Sequence, residues 1–126
     1  MEPKFYYCRH CKKVILVLDP QDTDTICCGS VMDLLTPGTE DASTEKHVPY
    51  VQISNHMVYV KVGTEEHPSL PEHYIKFIVL ETDKGNYIRY LSPGCRPQAT
   101  FHICESEKII AVYEYCNLHK LWKTVL

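Results

Sequence analysis

The sequence Lys108-Ile-Ile-Ala-Val-Tyr-Glu-Tyr-Cys-Asn-Leu-His-Lys-Leu-Trp122 carries both a fold signal and a chemical signal. Residues 108–115 are rich in β-branched and aromatic side chains, which favour a long β-strand. This strand leads into Cys116 and His119, which are spaced Cys-x-x-His. A thiolate and an imidazole at this spacing can bind one metal ion from a single tight turn. Two ligands do not complete a site, so the other ligands must come from elsewhere in the chain.

Strand-like segments recur from Tyr50 onward, with Gly and Pro between them. Residues 56–62 alternate, so that the valines share one face of a strand while Tyr59 and Lys61 share the other. Asp83-Lys-Gly85 predicts a hairpin turn, and no segment has the period of a helix. We therefore predict an all-β fold, an immunoglobulin-like antiparallel β-sandwich of about seven strands. The predicted strands are residues 50–53, 56–62, 73–80, 86–91, 98–104 and 108–115.

The N-terminal residues predict a separate, small metal-stapled domain. Strands at residues 5–7 and 14–18 surround a Cys-x-x-Cys turn, and a Cys-Cys pair follows. So short a unit cannot fold on apolar burial alone, and four thiolates provide a tetrahedral iron or zinc site. The alternative is a vicinal disulfide or buried free thiols. Residues 36–44 resemble a linker, which predicts domains at 1–37 and 38–126. The four cysteines are Cys8, Cys11, Cys27 and Cys28.

Composition excludes several classes of function. The chain has 126 residues, 44% of them hydrophobic, and a net charge of -3, so it lacks the basic footprint of a nucleic-acid-binding protein. It contains no apolar run long enough to span a membrane, and its N-terminus has no apolar signal core, which predicts a cytoplasmic protein. Seven cysteines, an odd number, argue against a complete disulfide framework and favour metal binding.

A second set of candidate ligands lies at predicted strand ends and in loops. Four imidazoles and one thiolate suit a square-pyramidal transition-metal site with one open position better than a closed tetrahedral zinc site. For any single histidine the alternative is a solvated loop residue or a hydrogen-bonded core residue. Cys95 and Cys104 have no metal-like partner spacing, and we interpret them as core or surface residues. The candidate ligands are His47, His67, His73, Cys116 and His119, whereas His10, His56 and His102 are predicted non-ligands.

Paired motifs in both halves of the chain point to one family. They are Cys8-Arg-His-Cys11, Cys27-Cys28-Gly29, Glu45-Lys-His-Val-Pro49, His67-Pro68, His73-Tyr-Ile75, Leu91-Ser-Pro-Gly94 and Tyr115-Cys-Asn-Leu-His119. Over nearly its whole length the sequence resembles the desulfoferrodoxins, the two-iron superoxide reductases. The first motifs resemble their desulforedoxin-like domain.

This resemblance implies two iron ions per chain. The four cysteines would hold one iron, and the second would have four equatorial histidines with Cys116 as the axial ligand. Superoxide would bind opposite the thiolate and be reduced to hydrogen peroxide without release of dioxygen. Glu45 would close the sixth position of the oxidised iron, and Lys46 would attract the anion. The family also implies re-reduction by rubredoxin or another small donor, and a homodimer.

Three residues depart from the family pattern. Lys12 and Lys120 occupy positions where the family commonly has glycine, and Ser69 replaces a common methionine. A lysine in a left-handed backbone conformation costs on the order of 1 kcal/mol. Two other functions remain alternatives: a non-catalytic metal-binding module, and a rubredoxin-like electron carrier that uses only the cysteine site.

Overall fold

The computed structural model describes residues 2–38 and 44–126, and the side chain of Glu45 lies outside this description. The chain divides into two compact units, Met1–Thr36 and Pro37–Leu126. No helix among the described residues is long and apolar enough to cross a membrane.

The first unit is built from short antiparallel strands that leave its turns free to carry cysteines. Strand β1 lies between β2 and β5, and β3 and β4 form a separate hairpin. The strands predicted at 5–7 and 14–18 are confirmed, whereas β3, β4 and β5, two residues each, are too short to show a periodic pattern. The strands are β1 Lys4–Tyr7, β2 Val14–Val17, β3 Ile26–Cys27, β4 Ser30–Val31 and β5 Asp33–Leu34.

The second unit confirms the predicted β-sandwich. One sheet has the order β10-β7-β6 and the other has the order β12-β11-β8-β9, and all their strand pairs are antiparallel. A one-turn helix, α1 Thr44–His47, precedes the first strand. The strands are β6 Pro49–Ser54, β7 Met57–Val62, β8 Ile75–Thr82, β9 Gly85–Tyr90, β10 Gln98–His102, β11 Ile109–Cys116 and β12 Lys120–Val125.

The core lies between the two sheets, because the inward-facing residues of the strands are apolar. The predicted alternation in β7 is confirmed: Val58, Val60 and Val62 are buried, while Tyr59 and Lys61 are exposed. These valines belong to a cluster that β8, β10 and β11 complete and that includes the thiol of Cys116. The last long strand therefore delivers a cysteine to the edge of the apolar core.

Two elements near the candidate site were not predicted. Strand β12 follows Cys116 after a turn of only three residues and pairs with β11 from Cys116↔Lys120 onward. Helix α1 ends at His47. His73 lies outside β8, in an isolated bridge with Leu70. Sequence periodicity missed α1 because it has a single turn, and missed β12 because consecutive buried residues break its alternation.

Candidate metal centres

The first centre is formed by the turn after β1 and the hairpin of β3 and β4. The thiol sulfurs of Cys8, Cys11, Cys27 and Cys28 all lie within 4.8 Å of one another. Two backbone hydrogen bonds close the first turn, from Cys8 N–H to the Lys13 carbonyl at 2.9 Å and from Lys12 N–H to the Cys8 carbonyl at 2.9 Å. The four described thiols are free rather than joined in disulfides. Four converging sulfurs are the donor set of a tetrahedral iron or zinc site.

The electrostatics of these thiols fit a bound cation. The Cys11 N–H donates to Cys8 Sγ at 3.5 Å, and this backbone hydrogen bond is the main cause that lowers the pKa of Cys8 to about 6. The neighbouring sulfurs of Cys11 and Cys8 instead raise the pKa of Cys27 to about 12. The Cys8 thiolate forms readily, but a second thiolate beside it would be repelled by the first negative charge. A bound metal ion would remove this repulsion, so the four cysteines are suited to hold an iron or zinc ion.

Four separate elements of the sandwich bring the second set of ligands together. Helix α1 ends at His47, the segment after β7 carries His67, and His73 precedes β8. Cys116 ends β11, and His119 lies in the turn before β12. Among the described residues, the donor atoms of His47, His67, His73 and Cys116 all lie within 4.8 Å of one another.

The imidazole nitrogens converge on one point. His47 Nε2 lies 3.3 Å from His67 Nε2 and 3.0 Å from His119 Nδ1, and Cys116 Sγ lies 3.9 Å from His119 Nδ1. The rings of neighbouring histidines meet edge to face, as for His47 and His119 at a centroid distance of 4.8 Å and an angle of 90°. His119 is not among the four donors that all lie within 4.8 Å of one another, but its Nδ1 adjoins two of them, so the fifth predicted ligand lies beside the other four.

Two of the histidines are prepared to bind a metal in their neutral form. His67 Nδ1–H donates to the Pro68 carbonyl at 2.7 Å, which leaves Nε2 as the free lone pair. Burial is the main cause that lowers the pKa of His67 to about 4, so the ring is neutral at neutral pH. His73 Nε2 is buried with no hydrogen-bond partner among the described residues. A buried nitrogen without a partner is costly, and a metal bond would satisfy it.

The thiol of Cys116 lies on the protein side of this site. Its side chain is fully buried, and burial raises the pKa of the thiol. The backbone N–H groups of His119 and Leu118 act in the opposite direction and stabilise the thiolate. Glu114 is buried two residues earlier, and neither of its carboxylate oxygens has a hydrogen-bond partner among the described residues. Burial raises the pKa of Glu114 well above its usual range.

Two residues that sequence reasoning did not single out hold the ligands in place. Asn117 Oδ1 accepts from Tyr74 N–H at 2.9 Å, and Asn117 Nδ2 donates to the Glu72 carbonyl at 3.0 Å, so its side chain ties the Cys116 turn to the backbone around His73. The ring of Trp122 stacks on His47 at 5.0 Å, and Nε1–H donates to the His119 carbonyl at 3.0 Å. The sequence signal that could have identified them is their position, since Asn117 lies inside the Cys-x-x-His motif and Trp122 lies three residues after it.

The remaining candidates lie outside the two donor sets. Lys46 is exposed and adjoins His47, and its charge is one cause, after burial and His119, that lowers the pKa of His73. The predicted role of Glu45 lies outside the described side chains. The predicted non-ligands His10, His56 and His102 belong to neither group of converging donors, nor do Cys95 and Cys104.

The three departures from the family pattern have distinct local structures. Lys12 has φ 69° and Lys120 has φ 59°, so each lysine adopts the left-handed conformation that favours glycine. Lys12 Nζ donates to the Arg9 carbonyl at 3.1 Å. Both the carbonyl and Oγ of Ser69 lie 3.0 Å from the Gly94 N–H, which ties the His67 segment to the loop at Gly94.

Fold and donor sets together define a class of protein: a two-centre, non-haem metalloprotein with a small four-cysteine unit and a β-sandwich that carries a histidine–cysteine centre. The profile of the family described as Desulfoferrodoxin matches residues 39–125. A desulfoferrodoxin from Nitratidesulfovibrio vulgaris is 40% identical over 120 residues, which cover 95% of this chain and 94% of the relative. The chain belongs to the desulfoferrodoxin family.

Solved structures agree with this assignment. The superoxide reductase from Treponema pallidum superposes with a TM-score of 0.83 at 34% identity, covering 98% of this chain and 99% of that one. The one-iron superoxide reductase from Giardia intestinalis has a TM-score of 0.56 at 35% identity and covers 65% of this chain and 97% of its own. As a desulfoferrodoxin, the chain is an iron-binding protein with a four-cysteine site and a histidine–cysteine site.

Proposed function

We propose that this protein is a superoxide reductase, an oxidoreductase that converts superoxide to hydrogen peroxide at the histidine–cysteine centre without releasing dioxygen. The observation that carries the proposal is the convergence of imidazole nitrogens and one buried thiol, with His73 Nε2 left without any other partner among the described residues. The relatives from T. pallidum and G. intestinalis are named superoxide reductases, which supports the same conclusion.

Each protein ligand has a defined task in this proposal. His47, His67, His73, His119 and Cys116 would hold an iron ion, which would supply the single electron that superoxide receives. The thiolate of Cys116 increases electron density at its metal, and the neutral histidines add no charge of their own. The edge-to-face packing of the rings holds the lone pairs on one centre. The charge of Glu114 is one of the causes that raise the pKa of the Cys116 thiol, after burial.

Lys46 supplies a local attraction for superoxide at the histidine–cysteine centre. The net charge of -3 repels superoxide, whereas the exposed ammonium of Lys46 lies close enough to His73 to influence its pKa. A cation beside a site can raise association rates of an anion by roughly 10 to 10³. Two protons must also reach the product, and Lys46 helps to organise their donor. Glu45 would be a further ligand for the oxidised metal.

The proposal also covers the surroundings of the reaction. Rubredoxin or a similar small carrier returns the electron, and the four-cysteine centre serves electron transfer or structure. The protein acts in the cytoplasm as a homodimer whose two β-sandwich domains pack together. Tyr50 and Tyr59, which lie exposed on the outer side of the β6 and β7 pair, support such packing, because exposed aromatic residues are enriched at interfaces. Sedimentation velocity tests the dimer.

The test is superoxide consumption by the iron-loaded, chemically reduced protein, with dioxygen and peroxide measured together. We expect one superoxide consumed per reduced histidine–cysteine centre, peroxide formed and no dioxygen released. His73→Ala should abolish this activity, whereas His56→Ala, an exposed histidine outside the donor set, should leave it unchanged.

The two alternatives give different results in the same experiment. Zinc at both centres in the protein isolated from its native source would make it a non-catalytic metal-binding module. If both His73→Ala and Cys116→Ala consumed superoxide at the wild-type rate, the histidine–cysteine centre would not be the active centre. The protein would then be an electron carrier that uses only the four-cysteine site.

A further inference from the structure

The first unit has a basic end, and it is the end that carries the cysteines. The turn Cys8–Lys13 contains three permanent cations, no acidic residue and the exposed thiol of Cys11. Arg9, Lys12 and Lys13 are all exposed. Arg9 Nε pairs with Asp33 Oδ2 at 2.9 Å, so the turn keeps an excess of positive charge after this ion pair is counted.

The opposite end of the same unit is acidic. The register of β1 and β2 places Tyr7↔Val14 beside the cysteine turn and Lys4↔Val17 at the far end of the hairpin. At that far end Asp22 and Asp24 line an open cavity of about 720 Å³ together with Lys4. Three of the four Lys and Arg residues of this unit therefore lie at the end that carries the candidate redox centre, while Lys4 lies at the other end beside Asp22 and Asp24.

The hairpin of β3 and β4 presents one side to this turn. Cys27 Sγ lies 3.6 Å from Cys11 Sγ, and Ser30 Oγ lies 3.4 Å from His10 Nε2. The exposed residues Ile26 and Val31 lie on the other side of the hairpin, because side chains alternate along a strand. We name the surface formed by Arg9, Lys12 and Lys13 the basic face.

Short-lived encounters between redox proteins bury less than about 1,200 Å² in total. Complementary charge sets the rate and orientation of such encounters more than their affinity. The basic face therefore suits an anionic partner, and the exposed thiol of Cys11 brings the four-cysteine centre to the same surface.

We propose that the basic face is the docking surface for a small acidic one-electron carrier protein, which reduces the four-cysteine centre. This inference rests on the proposed function in one respect: a superoxide reductase must be reduced again after each turnover. One electron leaves the carrier, which is oxidised, and the ferric centre becomes ferrous. No covalent bond forms or breaks. A ferric ion with four thiolates carries one net negative charge, so without the cations the centre would repel an acidic carrier.

The test compares equal charge changes at the two ends of the β1–β2 hairpin. Lys13→Glu reverses a charge on the basic face, and Lys4→Glu makes the same change at the far end; both lysines are exposed. The probe is a reduced rubredoxin of net negative charge, mixed with the oxidised, iron-loaded full chain in a stopped-flow instrument. Bleaching of the thiolate-to-iron absorption of the four-cysteine centre reports the rate.

At low ionic strength we expect Lys13→Glu to slow this reduction about tenfold, Lys13→Gln to give an intermediate rate, and Lys4→Glu to stay within about twofold of wild type. The differences should collapse at about 0.5 M salt, where the Debye length is only a few ångströms. Equal slowing by Lys4→Glu and Lys13→Glu, or a rate that does not depend on salt, would overturn the proposal.

A second readout avoids electron transfer altogether. With zinc in both centres, an NMR titration with oxidised rubredoxin should shift the amide signals of residues 9–13 and 26–31, and Lys13→Glu should weaken these shifts. Shifts confined to other residues would refute the docking surface. Superoxide consumption by chemically pre-reduced protein needs no carrier, so its failure would count against the proposed function and leave the docking result standing.

Discussion

The side chain of Asn117 should contribute to both stability and metal affinity, because it joins the two parts of the histidine–cysteine centre. It bonds to the backbone on either side of His73, at Glu72 and Tyr74, while its own backbone follows Cys116. Asn117→Ala removes both side-chain hydrogen bonds and leaves the backbone bond from Asn117 N–H to the Tyr74 carbonyl at 3.2 Å.

The size of the effect follows from the exposure of each bond. A net hydrogen bond contributes about 0.5–1.5 kcal/mol. The bond from Tyr74 N–H is partly buried, so its loss should cost about 1 kcal/mol. The bond to the Glu72 carbonyl is exposed, and water can replace the amide, so about 0.5 kcal/mol is expected there. We expect a total near 1.5 kcal/mol.

Urea unfolding with chelator present measures this loss, because the chelator removes the contribution of metal binding. Trp122 is the single tryptophan and provides the fluorescence signal for the second unit. With an m-value of about 1–3 kcal/mol per M, the midpoint should fall by about 0.5–1.5 M. Asn86→Ala is the matched control, since Asn86 is exposed at the start of β9 and should change stability by less than about 0.5 kcal/mol.

Metal affinity gives the second measurement. Loss of an outer-shell partner typically weakens metal binding by about 10- to 100-fold. We expect chelator competition to show a decrease of this size for Asn117→Ala, together with faster hydrogen exchange at the Tyr74 amide. The reasoning would be refuted if Asn117→Ala had the same urea midpoint as Asn86→Ala and the same metal affinity as wild type. The side chain of Asn117 would then stabilise neither the fold nor the metal centre.

Three further predictions concern stability. Lys120→Gly should raise the free energy of unfolding by about 0.5–1 kcal/mol, because φ is 59° at this position, whereas Lys120→Ala should bring no gain in the same urea titration. Hydrogen bonds, that from the Thr82 hydroxyl first, lower the pKa of Glu107 to about 2, so its stabilising contribution is complete above the unfolded pKa near 4.5 and is lost as pH falls towards 2. Acid titrations should show a smaller loss of stability across this window for Glu107→Gln than for wild type. Thr124 Oγ1 donates to the Pro49 carbonyl at 2.6 Å, and Thr124→Val should cost about 1 kcal/mol in urea, with an unchanged midpoint arguing against this bond.

The sequence was sufficient to predict the sandwich because burial on one face imposes a period of two. In β7 this pattern appears without interruption, and the hairpin turn at Asp83-Lys84 lies between Thr82 and Gly85 as predicted. Strand β12 escaped prediction because both Leu121 and Trp122 are buried, which breaks the alternation. Helix α1 has a single turn and no periodic pattern at all.

Residue spacing likewise predicted a shared metal site only for ligands that are close in sequence. Cys8 and Cys11 predict a metal turn by themselves, and Cys116 with His119 predicts another, because three residues of chain fix their separation. His47 and His119 are 72 residues apart, and their 3.0 Å approach depends on how α1 and the β11–β12 turn are placed. Residue type made them candidates, and only the fold could bring them together.

By itself the sequence determined the β architecture, the cysteine staple and the identity of the donor groups, since these follow from local periodicity and short spacing. Only the tertiary structure decided that His73 Nε2 is buried without another partner, that His67 presents Nε2 while His119 presents Nδ1, and that Asn117 holds the two halves of the centre in register. The physical reason is that burial and hydrogen-bond direction depend on neighbours distant in the chain. The opening stretch supplied a strand, a thiolate and one imidazole, and the sheets around it supplied the rest of the centre.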